Sequence, residues 1–289
     1  MSKPKVATAI LTRNLPHIVD QLVESLDFIN TDDDLFILEN GSDEKHYSRY
    51  SNLFEKETKG ISWGVNKLIG HCFDLGYDYI WFHYNDTKIN KPEQFLKWAI
   101  STMEEDQSIG LITPYWGDIW DINGRKNTKS ALVSTFSPQS YVVSRRALEI
   151  LKSAREEFDP FWDSSHFSGH LNILSPCYYL YLNGMKIITN TDFEQREVYM
   201  TYDSRTKTQP TVEVIPEPEG VDDVAARGCT DEEWKDTLGP AQTFDWLNRF
   251  FPEVQNIGDK SNKLKANKAK RDFIIQKICG AYREQKQLL

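Results

Sequence analysis

Over its first two thirds the chain alternates short β-branched or aromatic runs with stretches of helical apolar spacing, and this alternation constrains the fold more than any other feature. Strand, helix and strand in succession is the sequence form of a parallel sheet covered by helices. Residues 6–12 read as a buried strand, and 15–28 as a helix with Ile18, Leu22, Val23 and Leu26 on one face. Further strands are expected at 35–38, 79–83, 109–113, 140–143 and 186–188. Helices are expected at 61–75, 92–103, 146–155 and 171–182, the last stopped by Gly184. Asn123-Gly124 reads as a hairpin turn. The expected class is α/β, with a Rossmann-like, mostly parallel central sheet flanked by helices.

In such a sheet, ligands bind outside the carboxyl ends of the strands. Three expected strand ends are unusually polar: Thr12-Arg13-Asn14, Glu39-Asn40-Gly41-Ser42 and Asn85-Asp86-Thr87. A polar turn after one strand is ordinary. Several on one edge make that edge the expected binding site. Walker-type phosphate loops and Gly-x-Gly-x-x-Gly patterns are absent from the sequence.

Charge sets further limits. The 289 residues carry 34 Lys+Arg against 43 Asp+Glu, a net of -9, which speaks against a general nucleic-acid binder. The balance is uneven, however. Residues 260–289 hold nine basic residues and two acids, a net of +7, leaving -16 for the remainder. Residues 206–220 contain Pro210, Pro216 and Pro218 with Glu213, Glu217 and Glu219, and read as an extended connector. Helical patterns follow at 231–238, 243–250 and 267–287. A boundary is therefore expected near residue 205, between a ligand-binding region (1–205) and a connector with a helical, basic C-terminal region (206–289). In the final helix Phe273, Ile274, Ile278 and Tyr282 form an apolar stripe. That stripe could dock on the main body. Alternatively, the surrounding lysines could draw the helix to an anionic membrane or a lipid-linked acceptor.

Cys72, Cys177, Cys229 and Cys279 are widely spaced and form no Cys-x-x-Cys pair, so reduced thiols are expected. No run approaches the roughly 18 apolar residues of a membrane helix. The first strand begins almost at once, with no secretory leader before it, and a cytoplasmic location is the default expectation.

Taken in order, Thr12-Arg13-Asn14, Glu39-Asn40-Gly41-Ser42, Gly60-Ile61-Ser62-Trp63-Gly64-Val65-Asn66, Tyr84-Asn85-Asp86-Thr87, Phe158-Asp159-Pro160-Phe161 and Gly184-Met185-Lys186-Ile187 form a series of motifs that resembles family 2 glycosyltransferases. Thr12-Arg13-Asn14 is similar to that family's first loop, usually Thr-Tyr-Asn, and Glu39-Asn40-Gly41-Ser42 to its Asp-Asn-Gly-Ser. Gly60-Ile61-Ser62-Trp63-Gly64-Val65-Asn66 resembles Gly-Phe-Ala-Gly-Gly-Asn-Asn, and Tyr84-Asn85-Asp86-Thr87 resembles Asn-Asn-Asp-Thr, a form of the metal-binding Asp-x-Asp. Phe158-Asp159-Pro160-Phe161 and Gly184-Met185-Lys186-Ile187 look like Phe-Asp-Glu and Gly-Tyr-Lys. The likeness spans about residues 6–195 and implies the GT-A fold. It also implies transfer of a sugar from a nucleotide diphosphate sugar to a glycan or glycoconjugate acceptor, with inversion.

On that resemblance Thr12 and Glu39 lie where the base and ribose are held, and Arg13 would bear on the pyrophosphate as a bidentate donor. Asn14, Asn40 and Asn85 belong to the same three loops. Gly60 and Gly64 would let the backbone approach the nucleotide, and Asn66 would face it or cap locally. Asp86 would hold Mn²⁺ or Mg²⁺, hard cations that take carboxylate and phosphate oxygens.

Two departures stand out. Tyr84 occupies the first acidic position of the metal motif. Where the family carries the carboxylate that deprotonates the acceptor, about nine residues after Phe-Asp-Glu, this chain has Phe167-Ser168. Asp163, His166 and His170 are the nearby candidates for the base. These departures leave open a catalytically impaired sugar-nucleotide or glycan binder, and a sugar nucleotidyltransferase is a third reading. Trp116, Trp120 and Trp162, beside polar loops, are candidates for stacking a sugar or for packing.

Overall fold

The computed structural model describes residues 3–57, 60–117, 119–126, 129–154, 161–162, 173–200, 213–215, 251–257 and 263–288. In chain order the strands are β1 (Val6–Thr12), β2 (Leu35–Asn40), β3 (Leu53–Glu55), β4 (Tyr79–Tyr84), β5 (Thr87–Ile89), β6 (Ile109–Tyr115), β7 (Ser140–Ser144), β8 (Lys186–Met200) and β9 (Glu213–Ile215). The helices are α1 (Pro16–Glu24), α2 (Ile61–Asp74), α3 (Pro92–Glu105), α4 (Arg145–Ala154), α5 (Leu174–Leu182) and α6 (Lys263–Leu288). Pro16 and Pro92 stand in the first turns of α1 and α3, where the missing N–H is no loss.

The strands form one mixed sheet in the order β3-β2-β1-β4-β7-β6-β8-β5, with β9 beside β8. β1 pairs in parallel with β2 and β4, whereas β7 runs antiparallel to both β4 and β6. The chain therefore travels outward from β1 to β3 and returns to β4 on the other side of β1. That reversal opens a crevice at the carboxyl ends of β1 and β4, where open α/β sheets take their ligands.

Alternation along the strands sends successive side chains to opposite faces. On one face Ile10, Ile37, Trp81 and Val142 pack against Val19 and Val23 of α1 and Phe95 and Ala99 of α3. On the other, Leu11, Leu38, Phe82 and Val143 meet Val65 and Leu68 of α2, Leu148 of α4 and Leu180 of α5.

The basic C-terminal helix joins this second core. Ile274, Ile275, Ile278 and Cys279 are fully buried, Tyr282 meets Tyr181 edge-on at 5.6 Å, and Gln285 Nε2 donates to the Leu182 carbonyl at 2.8 Å. The apolar stripe thus docks on α5. Among the described residues, no helix is long and apolar enough to cross a membrane.

β8 is longer than the expected 186–188. Its first part pairs with β6, the register shifts between Pro114 and Tyr115, and the remainder pairs antiparallel with β5. β9, from the connector, pairs with β8 through Val198 and Glu213. The helices expected at 231–238 and 243–250 lie outside the described residues. Cys72, Cys177 and Cys279 are buried free thiols, and Cys229 lies outside the described residues.

Candidate functional site

The crevice is bridged by its two strand ends. Asn85 and Asp86 form the two-residue turn joining β4 to β5, the Asn85 N–H donates to the Leu11 carbonyl at 3.2 Å, and its side-chain Nδ2 donates to Thr12 Oγ1 at 3.1 Å. This fixes the turn against β1 and leaves Asp86 partly exposed beside it. Tyr84 is close enough for the Asp86 charge to bear on it. Burial first, and then that charge, push the phenol far above its ordinary value, so it stays protonated and contributes no negative charge.

The loops after β1 and β2 are laced together. Arg13 Nε donates to the Gly41 carbonyl at 3.2 Å, the Asn14 N–H donates to Ser42 Oγ at 3.0 Å, and Asn14 Oδ1 accepts from the Asp43 N–H at 2.8 Å. Asn14 sits in the left-handed region, φ 53°, which asparagine tolerates better than most residues. Glu39, 1% exposed, accepts from Ser42 Oγ, from the Ser48 N–H at 2.9 Å and from Ser51 Oγ at 2.6 Å. A buried carboxylate needs such donors. It therefore holds the loop in shape as well as standing at the ligand edge.

α2 enters the same edge through Gly60, whose φ of 90° suits glycine, and a Cβ there would meet nothing within 4 Å. The positive end of the helix dipole lies here. Asn40 Nδ2 donates to the Gly60 carbonyl at 3.1 Å, while Asn40 Oδ1 is buried without a hydrogen-bond partner among the described residues. Gly64 serves packing: a Cβ would stand 2.8 Å from Leu11 Cδ1 and 3.0 Å from Asn40 Nδ2. Asn66 is committed elsewhere. Its Nδ2 donates to the Trp162 carbonyl, and its Oδ1 accepts from the Phe161 and Trp162 N–H groups.

Asp163, His166 and His170 lie outside the described residues. Trp162, immediately before them, is 2% exposed and stacks on Tyr141 at 6.0 Å, which makes it a core residue and not a sugar platform.

The far wall of the crevice had no counterpart in the sequence reading. The Gln139 carbonyl accepts from the Tyr84 N–H at 2.7 Å, and Gln195 Nε2 on β8 donates to Ser137 Oγ at 2.5 Å and Gln139 Oε1 at 2.8 Å. The polar run Ser134, Thr135, Ser137 and Gln139 ahead of β7, with Ser140 as its first residue, was the available signal. Behind this wall His83 lies opposite Ser140, 1% exposed, and burial pushes its imidazole down to about 3.

Among the described residues no three His, Cys, Asp or Glu side chains gather into a metal cage. A single partly exposed carboxylate, Asp86, fits a hard cation that draws its other ligands from phosphate and water. Thr12, Arg13, Asn14, Glu39, Asn40, Gly60, Asn85 and Asp86 thus converge on one edge, with Gly64 and Asn66 just beneath it.

No protein-family model matches the chain, and no curated protein sequence matches it. Solved structures do. GalNAc-T7 with UDP, GalNAc and Mn2+ is 10% identical with a TM-score of 0.51, over 88% of this chain and 57% of that one. Glucosyl-3-phosphoglycerate synthase from Mycobacterium tuberculosis, with Mn2+, uridine diphosphate and phosphoglyceric acid, is 12% identical with a TM-score of 0.47, over 67% of this chain and 70% of that one. TarS residues 1–349 from S. aureus is 14% identical with a TM-score of 0.48, over 98% of this chain and 90% of that one. At these identities the likeness is one of fold, and the GalNAc-T7 comparison carries it: this chain has the GT-A fold.

Proposed function

We propose that the protein is a glycosyltransferase that moves a sugar from a nucleotide diphosphate sugar to an acceptor hydroxyl on a glycan, in the cytoplasm. One observation carries this most directly: the Asn85–Thr12 hydrogen bond across the chain reversal, which sets Asp86 beside the interlaced loops of β1 and β2. Those loops supply groups suited to a nucleotide, and the turn supplies the carboxylate suited to a metal on its diphosphate. The GT-A fold supports the same conclusion.

In this mechanism Thr12 and Glu39 lie against the nucleoside, Arg13 adds positive charge toward the diphosphate, and Gly60 lets the backbone come close. Asp86 would hold Mn²⁺ or Mg²⁺, which when bound supplies charge to offset that building on the leaving diphosphate. The bond between the anomeric carbon and the diphosphate oxygen breaks as the acceptor oxygen attacks from the opposite face. The acceptor's proton passes to a base, for which Asp163, His166 and His170 are the candidates. The products are an inverted glycoside and a nucleoside diphosphate.

The test is product analysis with UDP-, GDP- and TDP-sugars and Mn²⁺, in wild type and Asp86→Ala. Release of nucleoside diphosphate that Asp86→Ala abolishes is the expected result. Pyrophosphate release would point to a nucleotidyltransferase. Tyr84 in the first acidic position favours one other reading, a sugar-nucleotide binder without turnover; binding with no release at all would support it.

A further inference from the structure

We propose that Gln195 is the positioning residue of the metal turn: its side-chain amide closes a ring of contacts around Asp86 and so sets where that carboxylate stands. This rests on the reading of Asp86 as the metal ligand and adds to it the group that holds the ligand in place. Tyr84 takes the first acidic position of the motif, and among the described residues no three His, Cys, Asp or Glu side chains form a metal-holding group. A cation here would depend on the placement of one carboxylate, with phosphate and water as its other ligands. Groups that support a metal ligand from behind typically matter about 10–100-fold in metal affinity.

The ring can be followed residue by residue. Upstream of the turn, the Tyr84 N–H donates to the Gln139 carbonyl at 2.7 Å, and Asn85 is tied to Leu11 and Thr12 of β1. Downstream, β5 starts at Thr87, directly after Asp86, and lies antiparallel to β8 with Ile89 opposite Gln195. Asn90 reinforces that pairing: its N–H donates to the Glu194 carbonyl at 3.0 Å, and its Oδ1 accepts from the Glu194 N–H at 2.7 Å. Gln195 then joins the two sides. Its Nε2 donates to Gln139 Oε1 at 2.8 Å and to Ser137 Oγ at 2.5 Å, and Ser137 Oγ also accepts from the Gln139 N–H at 3.2 Å. The path thus runs from Tyr84 through Asp86 and β5 to Gln195, and returns through Gln139 to Tyr84.

Gln195 stands where such a tie is needed. Glu194, opposite Tyr115, is the last residue of β8 paired with β6, and Gln195 is the first paired with β5. At that handover its side chain returns the β5–β8 pair to the segment ahead of β7. That segment is fixed independently: the Ser137 N–H donates to Thr113 Oγ1 at 3.2 Å, and Thr113 Oγ1 donates to the Ser140 carbonyl at 3.1 Å. Gln195 is 4% exposed, so water competes little for its amide. Its Oε1 has no hydrogen-bond partner among the described residues, so the two bonds donated by Nε2 are what offsets the burial of this group.

The experiment measures the affinity of the full chain for UDP, GDP and TDP by titration calorimetry, with and without Mn²⁺, in wild type, Gln195→Met, Gln139→Met and the double variant. The readout is the gain in affinity that Mn²⁺ brings. In wild type at least one nucleoside diphosphate should bind more tightly with Mn²⁺. Gln195→Met should cut that gain about tenfold and leave the metal-free affinity unchanged, because the loops of β1 and β2 stand outside the ring. A merely structural lesion would weaken both affinities together, and that outcome overturns the proposal. Gln139→Met should lose part of the gain, and the double variant less than the two single losses combined. Additive losses would show that the two amides act separately, and overturn it too. Gln195→Asn, which keeps the amide but withdraws it by one methylene, carries the same comparison if Gln195→Met does not fold. A wild type with no Mn²⁺-dependent gain for any of the three removes the metal reading of Asp86, and this proposal with it. A wild-type gain that Gln195→Met keeps removes the proposal alone.

Discussion

Asn66 holds the Trp162 backbone by both atoms of its amide: Nδ2 donates to the Trp162 carbonyl at 2.9 Å, and Oδ1 accepts from the Trp162 N–H at 2.8 Å. The two residues are 96 positions apart, and the clamp fastens the chain to α2 directly ahead of the three candidate bases.

Asn66→Ala should therefore strand buried backbone groups at residues 161 and 162 and cost about 1–3 kcal/mol, read from urea denaturation. It should lower turnover more than it weakens nucleotide-sugar binding, because its amide is turned to the Trp162 segment. An Asn66→Ala variant of wild-type stability would show that the clamp carries no energy.

The two glycines of the α2 entry should respond for different reasons. Gly64→Ala forces a methyl against Leu11 and Asn40, an overpacking that costs about 1–3 kcal/mol. Gly60→Ala meets open space but keeps φ at 90° and ψ at 166°, a region nearly confined to glycine, at about 1–3 kcal/mol of backbone strain. Denaturation midpoints of both variants check this. Wild-type stability in Gly64→Ala would rule out its packing role.

His83 should make the fold sensitive to mild acid. Its imidazole is pushed down by burial from an ordinary 6.5 to about 3. Below pH 6.5 the unfolded chain takes up a proton that the folded chain refuses, so stability falls as pH falls until about 3. Near pH 5 the loss attributable to His83 should be about 2 kcal/mol. His83→Leu should remove that part of the slope between pH 7 and 5. An unchanged slope in the variant would place the acid sensitivity elsewhere.

Much of this architecture is legible in the chain because burial on both faces writes itself as uninterrupted apolar runs. β1, β4 and β7 are such runs, and the apolar spacing of α2 and α3 located those helices to within a few residues. β3 and β5 escaped notice because three residues carry no periodicity, and Phe54 in β3 is half exposed. β8 was read short because it turns polar at Thr189, Asn190, Thr191 and Asp192, around the register shift against β6 and before it reaches β5 at Gln195. At the site, polar strand ends marked the right edge, since only loops at that end need so many hydrogen-bonding groups. What each side chain does there was not legible. The partners of Glu39 are three serines in the following loop, and the partner of Asn66 is a backbone far along the chain.

Asp86 is the residue on which the account turns. The most direct test is the thermal unfolding of wild type and Asp86→Ala with UDP-, GDP- and TDP-sugars, with and without Mn²⁺. A ligand that binds only the native state must raise its stability, by about 2.7 kcal/mol at a hundredfold excess over Kd. We predict that at least one donor stabilises wild type more strongly with Mn²⁺, and that Asp86→Ala loses the Mn²⁺-dependent part. Absence of stabilisation by any donor, or stabilisation indifferent to both Mn²⁺ and Asp86→Ala, would contradict it.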